Sequence, residues 1–202
     1  MILSYTIAFF CGLWIVWASQ LWWLPAVMLF SALSSLFYTA PPVRYGYRGL
    51  GELFVAINMG PVMVAGTTSA LVGHFDARAF WLSLPIGIMV AMILYYQSLS
   101  DIEADRAVGK ITIAVRLGKP AAIWGFRFFA AATLISVVLL VLRGFVHPSA
   151  LVSLGAIFLA YRIDKMISSS NDWKELHDRG GAVRMFYFAV GLVLILSVAW
   201  FG

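Results

Sequence analysis

The run Tyr95-Tyr96-Gln97-Ser98-Leu99-Ser100-Asp101-Ile102-Glu103-Ala104-Asp105-Arg106-Ala107-Val108-Gly109-Lys110 carries an apolar segment directly into acids. Asp101 and Asp105 stand i, i+4 apart, so on a helix they share one face, with a rise of about 6 Å between them. Two carboxylates so placed can hold a hard divalent cation such as Mg²⁺, which takes one or two protein carboxylates and completes its shell with water and phosphate oxygens. Glu103 points about 200° away from Asp101 and does not share that face. Gly109 suits a helix stop. A simpler reading has the acids merely solvated at the end of a membrane helix, with Asp101 and Asp105 paired to Arg106 or Lys110. Against it, carboxylates near a helix C-terminus meet the negative end of the helix dipole, at about 0.3–1 kcal/mol each. A bound cation would reverse that term. On the residues alone, both readings stand.

The elements that must position these acids are membrane spans. Of 202 residues, 62% are hydrophobic and only 11% charged, and the mean hydropathy is +0.93; a soluble domain is about 25% charged. A span needs roughly 20 apolar residues, and seven such runs emerge: about 3 to 18, 22 to 38, 52 to 73, 79 to 98, 120 to 142, 148 to 166 and 184 to 201. The first lacks a basic leader and a small-residue cleavage site and is followed closely by another run, so it is read as a retained helix. Cys11 is the only cysteine; it allows no intrachain disulfide and is expected to pack as a small buried residue.

The net charge of +5 forms no basic stripe of the kind that binds nucleic acid; it reports topology instead. With a cytoplasmic N-terminus, the segments 39 to 51, 99 to 119 and 167 to 183 are cytoplasmic. Arg44, Arg48, Arg106, Lys110, Arg116, Lys119, Arg127, Arg162, Lys165, Lys174, Arg179 and Arg184 lie at or near them, and only Arg78 and Arg143 fall on the other side. That asymmetry follows the positive-inside rule and places the C-terminus outside. With no internal repeat and no long hydrophilic stretch, residues 1–202 read as one polytopic all-α transmembrane bundle.

The string DIEADRAVGKITIAVRLG, beginning at Asp101, resembles the second aspartate-rich motif of UbiA-type prenyltransferases, most closely the branch that prenylates dihydroxynaphthoate in menaquinone synthesis. The stretch YTAPPVRYGYRGLGEL, Tyr38 to Leu53, is similar to the cytoplasmic loop and helix start one span upstream of that motif. The similarity covers residues 38 to 119, and the remaining spans only as hydropathy. It implies a nine-helix fold, of which about seven spans are present here. It also implies a Mg²⁺-assisted reaction in which a polyprenyl diphosphate ionises and an electron-rich aromatic ring captures the allylic carbon. Asp101 and Asp105 would then be the catalytic metal ligands, with Arg44, Arg48, Arg106 and Lys110 cradling the diphosphate. Tyr38, Tyr95 and Tyr96 are placed either to shield an allylic cation or simply to pack. Asn58, just before Gly60-Pro61, and Gln97 are candidate cavity-lining residues, although Asn58 serves a helix-packing hydrogen bond equally well. Glu52 is expected to favour the helix N-terminus.

Two departures bear on function. The naphthoate branch carries two Asn and an Arg just before the first acid, where this chain has Gln97, Ser98 and Ser100; benzoates, other phenols and lipid acceptors therefore stay open beside naphthoates. Residues 1 to 37 hold no Asp, Glu, Lys, Arg, His or Asn, so the family's first aspartate-rich motif is not found. The expectation is a domain N-terminally incomplete relative to the family and nearly inactive alone, with a partner supplying the missing helices as one way to complete it. The leading reading is an integral prenyltransferase of a bacterial or archaeal cell membrane, its active face cytoplasmic. Its partners would be a polyprenyl diphosphate, an aromatic acceptor and the lipid bilayer, with no nucleic acid. The alternatives are a degenerate or truncated homologue serving as a non-catalytic membrane subunit, and an unrelated transporter, for which only Gly60-Pro61 hints at a broken helix. His74, His147 and His177 have no ligand spacing, and the mixed-sign segment Asn171 to Arg179 is expected to be a solvated loop.

Overall fold

The structure, a computed structural model, describes residues Ile2 to Phe201. Its helices are α1 (Ile2–Ser19), α2 (Leu24–Phe37), α3 (Gly51–Val72), α4 (Ala77–Ser100), α5 (Ile102–Ala107), α6 (Ile113–Leu142), α7 (Ile157–Ser169) and α8 (Gly181–Phe201). There is no strand among the described residues.

Each of the seven apolar runs becomes helical. α3, α4, α6 and the stretch Trp173–Trp200 are long and apolar enough to cross a membrane, while α1 and α2 are shorter apolar helices. The sixth run begins as a 3₁₀ segment, Pro148–Ala156, of 9 residues, and continues into the 13 residues of α7. At about 2.0 Å and 1.5 Å per residue these extend roughly 37 Å, sufficient for a hydrocarbon core of about 30 Å. Trp14, Trp17, Phe128, Phe158, Phe188 and Trp200 stand exposed, as expected of a surface dissolved in lipid rather than water.

α4 is the central element, packed along α3 on one side and α6 on the other. Met89, Ala91, Met92 and Leu99 on it are wholly buried. Its approach to α3 depends on two glycines: a Cβ on Gly60 would stand 2.8 Å from the Ser83 carbonyl oxygen, and one on Gly87 would collide with the carbonyl of Ala56. Small residues at such a crossing let two membrane helices pack backbone to backbone. Pro61 lies inside α3, and the helix absorbs its missing N–H by a π-helical segment, Asn58–Ala65. The broken helix hinted at by Gly60-Pro61 is therefore a wound but continuous one.

The connecting segments gather at two ends. At one, Arg78 Nε donates to the Phe145 carbonyl at 2.9 Å and the Trp81 ring stacks on Phe145. At the other, the segments 38–50, 101–112 and 170–180 meet. Gly118 (φ 71, ψ 163) interrupts α6, so the span expected from residue 120 begins just after the break, with Pro120 in its first turn.

Two expectations need correction. Cys11 is exposed rather than packed; among the described residues α1 packs chiefly on α2 and the end of α3. The segment after Asn171 is not simply solvated. It contains a 3₁₀ turn, Trp173–Leu176, whose Trp173 and Leu176 are buried, and the Tyr96 hydroxyl donates to the Leu176 carbonyl at 2.9 Å.

Candidate active site

α4 stops at Ser100, and Asp101 (φ −98, ψ 4) forms the junction with α5. The Asp105 N–H still donates to the Asp101 carbonyl, at 2.7 Å, so the i, i+4 relation of the two acids survives the junction. Their electrical setting differs from the one expected. Asp105 and Glu103 lie in the first turn of α5, not at the C-terminus of the long helix, so the dipole penalty argued from the sequence does not apply to Asp105. Asp101 is exposed and Asp105 buried.

α5 closes at Gly109 (φ +73), the left-handed stop that Gly tolerates without strain. The Lys110 N–H reaches back to the Asp105 carbonyl at 2.8 Å and the Gly109 N–H to that of Arg106 at 3.2 Å, a Schellman motif. The turn folds Lys110 over the helix, with Nζ 3.1 Å from Asp105 Oδ1. Asp105 Oδ2 is buried and has no hydrogen-bond partner.

The loop after α2 closes on this segment. The Ile111 N–H donates to the Tyr47 carbonyl at 2.9 Å, and the Arg116 guanidinium donates to the Arg48 carbonyl at 2.6 Å. The Arg48 side chain turns to the Pro42 carbonyl at 3.2 Å, Arg44 lies 5.8 Å from the Tyr47 ring centroid, and Arg106 reaches the Val115 carbonyl at 3.4 Å. Among the described residues none of Arg44, Arg48, Arg106 and Arg116 is ion-paired with a carboxylate. Two of the nearby acids are engaged by lysines: Asp105 by Lys110, and Glu103 by Lys119 at 3.0 Å and Lys174 at 3.6 Å. Lys119, hydrogen-bonded to it, and then Lys174 hold the Glu103 carboxyl below the usual carboxylate range. This end of the bundle thus presents, beside the acids, four guanidinium groups without a carboxylate partner, three of them held on backbone carbonyls, a donor set suited to an anion of several oxygens.

Glu52 sits in the first turn of α3, as its sequence position suggests. It is 2% exposed, and its Oε1 has no partner. Lys110 and Asp105 lie within its electrostatic reach, so it belongs to the same end of the bundle. Burial of that kind is invisible in a linear sequence, as are the Arg116 clasp and the Glu103 bridge.

The aromatic and polar candidates separate. Tyr95 and Tyr96 are buried, with their hydroxyls on the carbonyls of Ala122 and Leu176, so they pack. Tyr38 is half-buried and lines a cavity of about 590 Å³ between α2 and α3, together with Thr39, Tyr45, Phe54 and Asn58. The Asn58 Nδ2 donates to Ser34 Oγ at 2.8 Å and to the Phe54 carbonyl at 2.7 Å. Gln97 is exposed and lies outside that cavity.

For a metal, the described residues bring no three His, Cys, Asp or Glu side chains together. Asp101 and Asp105 are a two-carboxylate set, one of them with a buried oxygen that no protein donor satisfies. Such a set fits the protein share that Mg²⁺ asks for, one or two carboxylates with the other positions left to water and phosphate.

The UbiA prenyltransferase family model matches residues 1–190. The 1,4-dihydroxy-2-naphthoate octaprenyltransferase of Bacillus subtilis is 33% identical over 145 residues, which cover 72% of this chain and 46% of that protein. The Mycobacterium tuberculosis protein of the same name is 31% identical over 173 residues, 83% of this chain and 58% of that one. The 2-carboxy-1,4-naphthoquinone phytyltransferase of Synechocystis is 33% identical over 102 residues, 50% of this chain and 33% of that protein. The chain spans about half the length of the two octaprenyltransferases and a third of the phytyltransferase, and no solved structure matches it. Matched along nearly its whole length and carrying its acid pair at the mouth of an apolar helical bundle, the chain belongs to the UbiA prenyltransferase family.

Proposed function

We propose that this chain is a membrane prenyltransferase that moves a polyprenyl group from its diphosphate onto an aromatic acceptor of the quinone-precursor type, with the loops at its acidic end cytoplasmic. The observation that carries the proposal is the interlock of the segments around Tyr47 and Ile111, with Asp101, Asp105 and four arginines that have no carboxylate partner among the described residues at the same end of the bundle. The names of the naphthoate-prenylating relatives supply the acceptor class.

In this reading Asp101 and Asp105 hold Mg²⁺, which would neutralise the departing diphosphate as a Lewis acid. Arg44, Arg48 and Arg106 bind the diphosphate oxygens and fix their orientation by charge-assisted hydrogen bonds. Lys110, whose ammonium lies 3.1 Å from Asp105 Oδ1, would add a further cation for the diphosphate oxygens. The apolar bundle takes the isoprenoid and keeps water from the allylic carbon. Family membership removes the unrelated transporter from the alternatives.

The test uses the full chain in lipid nanodiscs with farnesyl thiodiphosphate, an analogue that ionises slowly. Binding is expected to require Mg²⁺ and to weaken at least tenfold in Asp101→Asn and in Asp105→Asn, each of which keeps its shape but loses one charge, while Glu103→Gln keeps it. Equal, Mg²⁺-independent binding in wild type and both Asn variants would overturn the metal assignment. Product formation from farnesyl diphosphate and 1,4-dihydroxy-2-naphthoate separates the enzyme from a subunit that only binds.

A further inference from the structure

The cavity between α2 and α3 has a polar wall whose hydrogen bonding is almost fully determined. The Phe54 carbonyl can only accept, so the Asn58 amide must present Nδ2 to it. The other Nδ2 hydrogen goes to Ser34 Oγ. Ser34 Oγ then donates to the Tyr45 hydroxyl at 2.9 Å, and that hydroxyl donates to the Ser34 carbonyl at 2.6 Å. Every donor in the chain is spent within it. The group left over is Asn58 Oδ1, for which no donor stands among the described residues, on the wall of a cavity of about 590 Å³.

The rest of the wall mixes aromatic and thioether side chains, Tyr38, Phe54, Met59 and Met63, with the hydroxyl residues Ser31, Ser35 and Thr39, and Tyr45 stacks on Phe54 with centroids 4.2 Å apart. Asn58 lies about 10 Å along α3 from Gly51, so the cavity is inside the apolar layer yet close to the acidic end. Tyr38 joins the two. Its ring lines the cavity, its hydroxyl lies over Gly51, and the charges of Lys110, Glu52 and Asp105 act on it.

We propose that this cavity is the acceptor subsite, and that Asn58 Oδ1 accepts a hydrogen bond from a hydroxyl of a bicyclic or monocyclic arene held against Tyr38 and Phe54. The assignment rests on the prenyltransferase reading and adds to it the residue that recognises the acceptor. A bare carbonyl acceptor in an apolar layer lacks its partner when an isoprenoid fills the space; a phenol supplies the missing donor. The larger groove of about 970 Å³ between α1, α2 and α3, lined by residues such as Leu13, Val27, Leu29 and Val62, offers hydrocarbon to hydrocarbon and suits the tail. A volume of about 590 Å³ falls within the range of about 300–1,000 Å³ usual for small-molecule sites.

The experiment is equilibrium dialysis of 1-naphthol and of its methyl ether, 1-methoxynaphthalene, into nanodiscs holding the full chain, with empty nanodiscs subtracted. The ether keeps the ring and removes the donor. Wild type is expected to bind 1-naphthol about tenfold more tightly than the ether, the effect of one hydrogen bond, and Asn58→Leu to bind the two alike. No protein-dependent binding of 1-naphthol, no preference for it over the ether, or an unchanged preference in Asn58→Leu would each overturn the proposal. The wild-type comparison of the two ligands needs no variant, so it decides even if Asn58→Leu fails to fold. Mg²⁺-dependent binding of farnesyl thiodiphosphate, measured on the same samples, reports separately on the prenyltransferase reading and on the integrity of the variant.

Discussion

The Arg116 guanidinium donates a 2.6 Å hydrogen bond to the main-chain carbonyl of Arg48, so one cation of the acidic segment holds the loop that presents two others. The Ile111 N–H on the Tyr47 carbonyl runs beside it. Four arginines can therefore sit near one another without acidic partners because the backbone is pinned, not because their charges attract.

This clasp makes a specific prediction. Arg116→Met keeps the aliphatic stem and removes the donor, and a hydrogen bond from a charged group contributes about 1.5–3 kcal/mol, toward the lower figure at an exposed position. Amide hydrogen exchange is expected to accelerate about tenfold in residues 45–49 and at Ile111, with little change in α4. Binding of farnesyl thiodiphosphate should weaken as the Arg48 loop drifts. Unaltered exchange at Ile111 would show that the loops are held by something other than Arg116.

Glu103 sets a pH dependence on the same face. Its folded-state pKa is depressed, first by its hydrogen bond to Lys119 and then by Lys174. A carboxylate with a lowered folded pKa contributes its stabilisation above the unfolded value, about 4.3, and loses it as pH falls through the folded value. The segment 170–180 is therefore expected to keep its exchange protection at neutral pH and to lose part of it on acidification below about 4, with rates corrected for intrinsic exchange. Glu103→Gln should remove the pH step and leave that part of the protection absent throughout. High salt should mimic acid, since the pairs are exposed. A pH step that persists in Glu103→Gln would assign it to another group.

What could be read from the sequence was local. The acid pair, its i, i+4 spacing and the stop at Gly109 all lie within ten residues, and the structure forms them as helix, junction and Schellman turn. The apolar runs were legible because hydropathy alone marks a span, and the run from about residue 120 coincides with the main part of α6 after its break at Gly118. The rest depends on partners distant in sequence: Arg116 with Arg48 at a separation of 68, Tyr96 with Leu176 at 80, and Arg127 with Asp164 at 37. No periodicity announces which loop folds onto which helix end. Glu52 shows the limit most clearly, since its place in the first turn of α3 was legible while its burial beside Lys110 depends on how two loops close over it. The segment 171–179 looked solvated because its charges outnumber its apolar residues, yet Trp173 and Leu176 alone suffice to dock it.

That docking supplies the last prediction. The Tyr96 hydroxyl is buried and donates to the carbonyl of Leu176, itself wholly buried. Tyr96→Phe leaves the ring in place and strands the carbonyl, a loss of about 1–3 kcal/mol. The 3₁₀ turn Trp173–Leu176 can relieve that loss by opening to water, since it is joined to α8 by a short turn and not threaded through the core. Hydrogen exchange should therefore rise in residues 173–180, while the global unfolding temperature in detergent changes little. Tyr95→Phe is the contrasting case. Its hydroxyl bonds the Ala122 carbonyl between α4 and α6, where no water can substitute, so the same chemical deletion should lower the global unfolding temperature and leave the 173–180 segment protected. If both variants behave alike, the loop is not an independently opening unit and the distinction between its anchor and the bundle core fails.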